Sequence, residues 1–114
     1  MNNNLDHVVY MNKLISIYGK LLTEIQRDIL QDYYEYNLSF QEIAEARNIS
    51  RSAVSDCIKK AATKLDNLEK ALGLLAFIEE EKKKNNPEID KVIERLEERL
   101  NGIWITEWPF PKSS

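Results

Sequence analysis

Cysteine and histidine are nearly absent from this 114-residue chain, since each occurs once, as Cys57 and His7. A single cysteine excludes an intramolecular disulfide, and these two residues argue against a zinc site built from cysteine and histidine. With only three glycines, the sequence has no glycine-rich phosphate loop, and it shows no nucleophile–base set or paired carboxylates. We therefore expect a protein that is not an enzyme and that uses no cofactor and no metal.

Long apolar runs are missing as well. No segment approaches the roughly 18 consecutive apolar residues that a membrane-spanning helix needs. Residues 1–6 have neither the basic nor the apolar region of a signal peptide. Hydrophobic residues make up 43% of the chain, which is enough to bury a core. These features predict a folded cytoplasmic protein without a membrane segment.

Proline is absent before residue 87, and apolar residues recur every three or four positions. This spacing predicts a first helix over residues 8–22 and a second over residues 24–36. Thr23 and Ser39 are each followed three residues later by glutamine or glutamate, which is the spacing of a capping box. We therefore expect one helix to begin just after Thr23 and another just after Ser39. The helix after Ser39 should end near Arg47, and the fold should be all-α.

Residues 39–58 have the spacing of a helix-turn-helix motif. Ala44 is small enough to let a second helix pack closely across the first, and Asn48 can adopt the left-handed conformation at a tight turn. Ser50 is a candidate N-cap for the second helix. The apolar residues expected between the two helices are Ile49, Val54 and Cys57.

The second helix of this motif would project polar and basic side chains toward a partner. Between residues 38 and 64 the formal charge is +2, whereas the chain as a whole carries −3, so the remainder carries −5. A local basic surplus is typical of nucleic-acid contact, although Asp56 on the same face would repel phosphate. The residues predicted to contact nucleic acid are Arg51, Ser52, Ser55, Lys59, Lys60 and Lys64.

Beyond the motif, apolar residues continue in alternating steps of three and four. This seam consists of Ile58, Ala61, Leu65, Leu68, Leu72 and Leu75. It predicts that the same helix continues without interruption through about three heptads. Residues 87–88 then start a last amphipathic helix that extends to Leu100. We therefore divide the chain into a helix-turn-helix body (1–64), a C-terminal helical arm (65–102) and an aromatic, proline-containing tail (103–114).

Several of these residues together resemble region 4 of bacterial sigma factors, and more closely the YlxM family of small bacterial helix-turn-helix proteins. The strings that carry the resemblance are Met11-Asn12, Leu21-Leu22-Thr23, Gln26-Arg27, Tyr33-Tyr34, Glu42-Ile43-Ala44 and Ser50-Arg51-Ser52-Ala53-Val54, followed by Asp56. The resemblance covers roughly residues 5–80. It implies a sigma-region-4-like fold with a long C-terminal helical arm, and an accessory or regulatory role in the signal recognition particle pathway. Arg47 departs from the pattern, because that position usually holds an apolar residue.

The leucine seam and the tail are the candidate surfaces for protein contact. The seam can close within the chain, or it can pair with a second copy, and we expect a homodimer. The large rings of the tail can pack onto the helical body or bind a partner as an extended segment. The residues predicted to form a dimer or partner interface are Leu65, Leu68, Leu72, Leu75, Trp104 and Trp108.

Three functions remain open at this point. The first is an accessory protein of the signal recognition particle pathway that contacts the particle RNA or its GTPase. The second is a transcriptional regulator that inserts the 50–60 helix into the major groove of DNA. The third is a protein-binding adaptor that no longer uses its helix-turn-helix motif.

Overall fold

Residues 5–100 are described by the computed structural model of the protein, and they form six α-helices and no β-strand. The helices are α1 (Leu5–Tyr18), α2 (Glu24–Tyr34), α3 (Phe40–Arg47), α4 (Arg51–Leu72), α5 (Leu74–Lys82) and α6 (Pro87–Leu100). A short 3₁₀ turn, Gly19–Leu21, follows α1. The predicted all-α fold is confirmed.

The predicted capping boxes begin α2 and α3. The Thr23 hydroxyl accepts from the Gln26 backbone N–H at 3.2 Å, and the Gln26 side chain accepts from the Thr23 N–H at 3.2 Å. Ser39 and Glu42 make the same pair of bonds at 3.1 and 2.8 Å. Each box satisfies two N–H groups that have no partner within the helix, which is why both helices begin where the sequence predicts.

The first two helices end earlier than the apolar spacing predicts. α1 stops at Tyr18 rather than at residue 22, because the chain tightens into the 3₁₀ turn at Gly19–Leu21. Leu22 still reaches the core, with 7% of its surface exposed, so the turn keeps the apolar spacing without keeping the helix. α2 stops at Tyr34, and Asn37 (φ 59°) reverses the chain before α3.

The expectation of one uninterrupted helix from Arg51 through the leucine seam is wrong. α4 ends at Leu72, and Gly73 adopts a left-handed conformation with φ 63° and ψ 27°. The Gly73 N–H donates to the Glu69 carbonyl at 2.8 Å, which closes the last turn of α4. Glycine takes this conformation at little cost, so the chain bends here and α5 starts in a new direction.

A single core joins all six helices. α4 packs against α1, α2 and α3, while α5 and α6 pack against each other and against α1. Ile43 of α3, Ile78 of α5 and Ile93 of α6 are all buried in the same cluster. The arm therefore folds back onto the body, and the packing is continuous across the predicted boundary at residue 64.

Candidate nucleic-acid interface

The turn between α3 and α4 spans Asn48 to Ser50. Asn48 is left-handed, with φ 59° and ψ 47°, and its N–H donates to the Ala44 carbonyl, as the sequence predicts. The Ser50 hydroxyl accepts from the Ala53 N–H at 3.0 Å and so caps α4. Two side chains of the right chemistry, two positions apart, thus fix where α3 ends and where α4 begins.

The contact between α3 and α4 is apolar and closely packed. Ile43 and Val54 are fully buried, and Ala44 is 6% exposed, so its small side chain allows the close approach. Cys57 is half-buried against the core, and burial raises the pKa of its thiol. This disfavours the reactive thiolate and favours a packing role for Cys57. The expectation for Ile49 is wrong, since its side chain is 37% exposed.

The first four turns of α4 present a broad basic surface. Of the residues predicted to contact nucleic acid, all but one are exposed, namely Arg51, Ser52, Lys59, Lys60 and Lys64. The exception is Ser55, which is partly buried. Steps of four place Arg51, Ser55 and Lys59 in one row along the helix. Asp56 is also exposed and lies on this surface, so one carboxylate interrupts the basic side chains.

Arg47, the unusual residue before the turn, forms an ion pair with Asp32 of α2. Its Nε donates to Asp32 Oδ2 at 2.7 Å, and this hydrogen bond is the main cause of a raised Arg47 pKa. Asp32 is buried in the core, with 8% of its surface exposed. The pair links the C-terminal end of α3 to α2, one residue before the turn begins at Asn48. Fifteen residues separate the two partners, and no local pattern indicates that they meet.

Comparison with known families agrees with this geometry. Residues 5–102 match the family described as "UPF0122: Putative helix-turn-helix protein, YlxM / p13 like". The chain belongs to the UPF0122 family. The resemblance to YlxM-type proteins that the sequence predicts is therefore confirmed, together with the helix-turn-helix class of its fold.

Several curated members of UPF0122 are similar over most of their length. A UPF0122 protein of Clostridium acetobutylicum is 42% identical over 85 residues, covering 75% of this chain and 69% of that protein. A UPF0122 protein of a Thermoanaerobacter species is 39% identical, covering 86% of this chain and 97% of its own length. One from Acetivibrio thermocellus is 36% identical, with 87% and 97% covered.

The described residues, 5–100, offer neither a membrane-spanning helix nor a metal-binding cluster. None of the helices in that range has the length and apolar content needed to cross a bilayer. The same range contains no group of three histidine, cysteine, aspartate or glutamate side chains placed to hold a metal ion. UPF0122 is described as a helix-turn-helix family, and the absence of enzymatic activity stays a prediction.

The predicted dimer and partner interface is divided by the fold. Leu65 is fully buried and Leu75 is 6% exposed, so both belong to the core of their own chain. Leu68 is half-buried, whereas Leu72 is 56% exposed at the end of α4. Trp104 and Trp108 lie outside the described residues. Within residues 5–100 the leucine seam is therefore divided between core positions and the exposed end of α4, and dimerisation stays a prediction.

The tyrosines are distributed between packing and solvent. Tyr18 is 1% exposed, and Tyr33 packs edge-on against Tyr34 at a centroid distance of 4.8 Å. The rings of His7 and Tyr34 pack edge-on, with their centroids 5.9 Å apart. Tyr36 is 61% exposed. Tyr18, Tyr33 and Tyr34 thus serve packing contacts, which leaves them poorly placed as platforms for stacked bases.

Glu69 organises the bend between α4 and α5, a role that no local sequence pattern indicates. Its carboxylate accepts from the Tyr18 hydroxyl at 2.6 Å and from the N–H groups of Leu75 and Ala76 at 3.1 and 3.0 Å. The Tyr18 hydroxyl in turn accepts from the Leu74 N–H at 3.1 Å. Because Gly73 offers no capping side chain, Glu69 and Tyr18 cap α5 from elsewhere in the fold.

Proposed function

We propose that this UPF0122 protein is a nucleic-acid-binding regulatory protein that places the N-terminal half of α4 against a phosphate backbone. The observation that carries the proposal is the exposure of Arg51, Lys59, Lys60 and Lys64 on a helix that the turn holds at the surface. The α2–α3–α4 packing leaves this face of α4 uncovered, as the reading helix of a helix-turn-helix motif requires.

The charge distribution supports contact with phosphate. Residues 51–64 carry four basic side chains and one acidic side chain, a formal charge of +3 in a chain whose total is −3. The N-terminal end of α4 adds the partial positive charge of a helix N-terminus. The negative charge of the remaining chain would repel a polyanion, so binding should be confined to this face.

The spacing of the side chains also suits a groove. Arg51 and Lys64 are separated by thirteen helical steps, or about 20 Å along the axis. Basic side chains at both ends can contact phosphates, while the hydroxyl of Ser52 lies between them and can reach a base edge. Asp56 can accept from a cytosine amino group, which would make it a source of sequence preference rather than of affinity.

The partner that the family resemblance implies is the signal recognition particle, through its RNA or its GTPase. We propose the particle RNA as the natural ligand, since a +3 helix face fits a polyanion better than it fits a protein surface of unspecified charge. A DNA operator is the competing ligand. Binding to the GTPase alone would instead indicate that the chain acts in the pathway through a protein contact and not through RNA.

The test is a set of fluorescence anisotropy titrations with labelled signal recognition particle RNA, duplex DNA and the GTPase at several salt concentrations. The variant carries Lys59→Ala, Lys60→Ala and Lys64→Ala. The matched control carries Lys83→Ala, Lys91→Ala and Arg95→Ala, which remove the same charge from exposed positions on or next to α5 and α6. Circular dichroism checks that both fold.

We expect affinity for the RNA to fall with salt and the control to bind like the unmodified protein. Each lost phosphate contact lowers the slope of log K against log salt by about 0.9 on duplex DNA and by about 0.7 on a single strand. The α4 variant should therefore lose about 2 units of slope. Failure to bind either nucleic acid at about 50 mM salt, or an equal loss in both variants, would contradict the proposal. Tighter binding to the duplex would identify a DNA regulator.

A further inference from the structure

A groove of about 470 Å³ lies between α1, α5 and α6. Its apolar lining is formed by Ile17, Leu75, Ile78 and Leu100, and Ser16 lies at its wall. The three isoleucine and leucine side chains of α1 and α5 are nearly buried, at 8%, 6% and 2% exposure, so they form a fixed surface rather than loose side chains. A groove of this size has room for a large aromatic side chain.

The charged side chains around the groove largely neutralise each other. Lys13 of α1 pairs with Glu79 of α5 at 2.6 Å, and Lys82 of α5 pairs with Glu97 of α6 at 3.1 Å. Lys83 is the fifth charged residue of the lining. Because four of the five form pairs with one another, the groove favours an apolar occupant over an ion or a highly charged ligand.

The chain itself leaves α6 at this groove. Leu100, the last residue of α6, lines it, and the carbonyl of Arg99 accepts from Lys20 Nζ at 2.6 Å. Lys20 belongs to the 3₁₀ turn that follows α1, so this bond holds the end of α6 beside α1. The C-terminal end of α6 is therefore held beside the groove.

The following segment has the composition that the groove would accept. Residues 103–110 read Ile-Trp-Ile-Thr-Glu-Trp-Pro-Phe, with Glu107 as their one charged residue. Trp104 is four residues beyond Leu100, which allows a reach of about 14 Å for an extended chain. A tryptophan buries 150–250 Å² when it is covered, so its exposure to water would be costly. The matched family region ends at residue 102, just before this segment.

We propose that residues 103–110 bind in this groove of their own chain, with the Trp104 indole against Leu75, Ile78 and Leu100. The Lys83 ammonium at the edge can approach the face of the indole, a favourable cation–π arrangement.

Tryptophan fluorescence tests the proposal directly, because Trp104 and Trp108 are the two tryptophans of the whole chain. Iodide quenching of tryptophan fluorescence is measured in the full-length protein, at an excitation wavelength at which tyrosine does not contribute. The quenching constant is compared with that of the same chain in denaturant. Docking should lower the quenching constant of the docked indole about fivefold, which corresponds to about 1 kcal/mol. The single variants Trp104→Phe and Trp108→Phe show which indole is protected, and we expect Trp104.

Blocking the groove should release the segment. Ser16→Arg places a long charged side chain at the exposed groove wall, and Asn67→Arg makes a matched change at an exposed position of α4 outside the groove. We expect Ser16→Arg to restore the quenching of a solvent-exposed indole, and Asn67→Arg to leave it unchanged.

A second measurement does not depend on that variant folding. A nitroxide attached at Lys83→Cys in a Cys57→Ser background quenches a nearby indole on contact, whereas one at Asn67→Cys serves as the control. We expect quenching from position 83 alone, at every protein concentration, in a protein that light scattering shows to be unchanged in mass.

The other outcomes overturn the proposal. Quenching equal to that in denaturant means that the segment does not dock. Protection that survives Ser16→Arg, with no nitroxide effect at position 83, places the segment elsewhere on the protein. Protection that disappears on dilution, together with a dimeric mass, assigns the groove to a second copy of the chain.

Discussion

The ion pair behind the helix-turn-helix motif offers a direct measurement of what an isolated buried charge costs in this fold. Arg47 Nε and Asp32 Oδ2 are 2.7 Å apart, and the two side chains are 31% and 12% exposed. The substitution Arg47→Met keeps most of the apolar stem and removes the guanidinium. It leaves the Asp32 carboxylate in the core without its partner, since a methionine cannot donate a hydrogen bond.

The expected loss follows from the burial of the two side chains. Removing one partner of a fully buried pair costs about 3–5 kcal/mol, whereas an exposed pair contributes about 0–1 kcal/mol. Because Arg47 is about one-third exposed and Asp32 is nearly buried, the cost should lie between these limits, at about 2 kcal/mol. For a chain of this length, that lowers the melting temperature by about 8 °C.

The assay is urea denaturation monitored by circular dichroism. It is applied to four proteins, namely the unmodified chain, Arg47→Met, Asp32→Asn and the double variant. The coupling energy of this cycle should be about 1.5 kcal/mol, since the double variant no longer leaves a charge unpaired. The same cycle on Lys13→Met and Glu79→Gln serves as a control, because these side chains are 49% and 45% exposed. Its coupling should stay below about 0.5 kcal/mol. Equal coupling in the two cycles would refute the reasoning from burial.

Three further predictions concern the bend between α4 and α5. Glu69→Ala removes the acceptor for Tyr18, Leu75 and Ala76 and should cost about 2 kcal/mol by urea denaturation, whereas Glu80→Ala on the exposed side of α5 should change stability by less than about 0.5 kcal/mol. Burial and the hydrogen bond to Glu69 raise the pKa of Tyr18 to about 12 from 10.0, so its stabilisation is complete below pH 10 and is lost as the pH rises through about 12. Tyr18→Phe should remove about 2–3 kcal/mol of that alkaline pH dependence, measured as the difference in unfolding free energy between the two proteins. Gly73→Ala should cost about 1 kcal/mol of unfolding free energy, because alanine is strained at a φ of 63°. An added Cβ would have no atom within 4 Å, so no steric clash adds to this strain. Gly73→Asn should cost less, because asparagine tolerates the left-handed region better.

Each of these has an opposing result. Equal stability of the Glu69→Ala and Glu80→Ala variants would show that α5 does not depend on its distant cap. A Tyr18→Phe protein with the same alkaline pH dependence as the unmodified chain would assign that dependence to another group. A larger loss for Gly73→Asn than for Gly73→Ala would show that backbone conformation is not the cause, because asparagine tolerates the left-handed region better than alanine does.

Local chemistry in the sequence determined much of the first half of the fold. The capping boxes at Thr23 and Ser39, the left-handed Asn48 and the cap at Ser50 each involve residues within four positions of one another. Such contacts form wherever the backbone turns, so the sequence pattern predicts them without knowledge of the tertiary structure. The exposed basic face of α4 follows from the same pattern, because helical periodicity separates Val54 and Ile58 from Lys59 and Lys60.

The tertiary structure alone decided what the apolar and charged residues of the second half contact. A leucine every three or four residues predicts a buried face but not whether the helix continues, and the left-handed Gly73 divided that face between two helices. The contacts of Asp32 with Arg47, and of Glu69 with Tyr18, span 15 and 51 residues along the chain. The composition of the tail suggested an apolar site, and only the packing of α1 against α5 and α6 produced a groove at the point where the tail begins. The physical reason is that side-chain periodicity is a local property, whereas the pairing of distant side chains depends on how the helices pack.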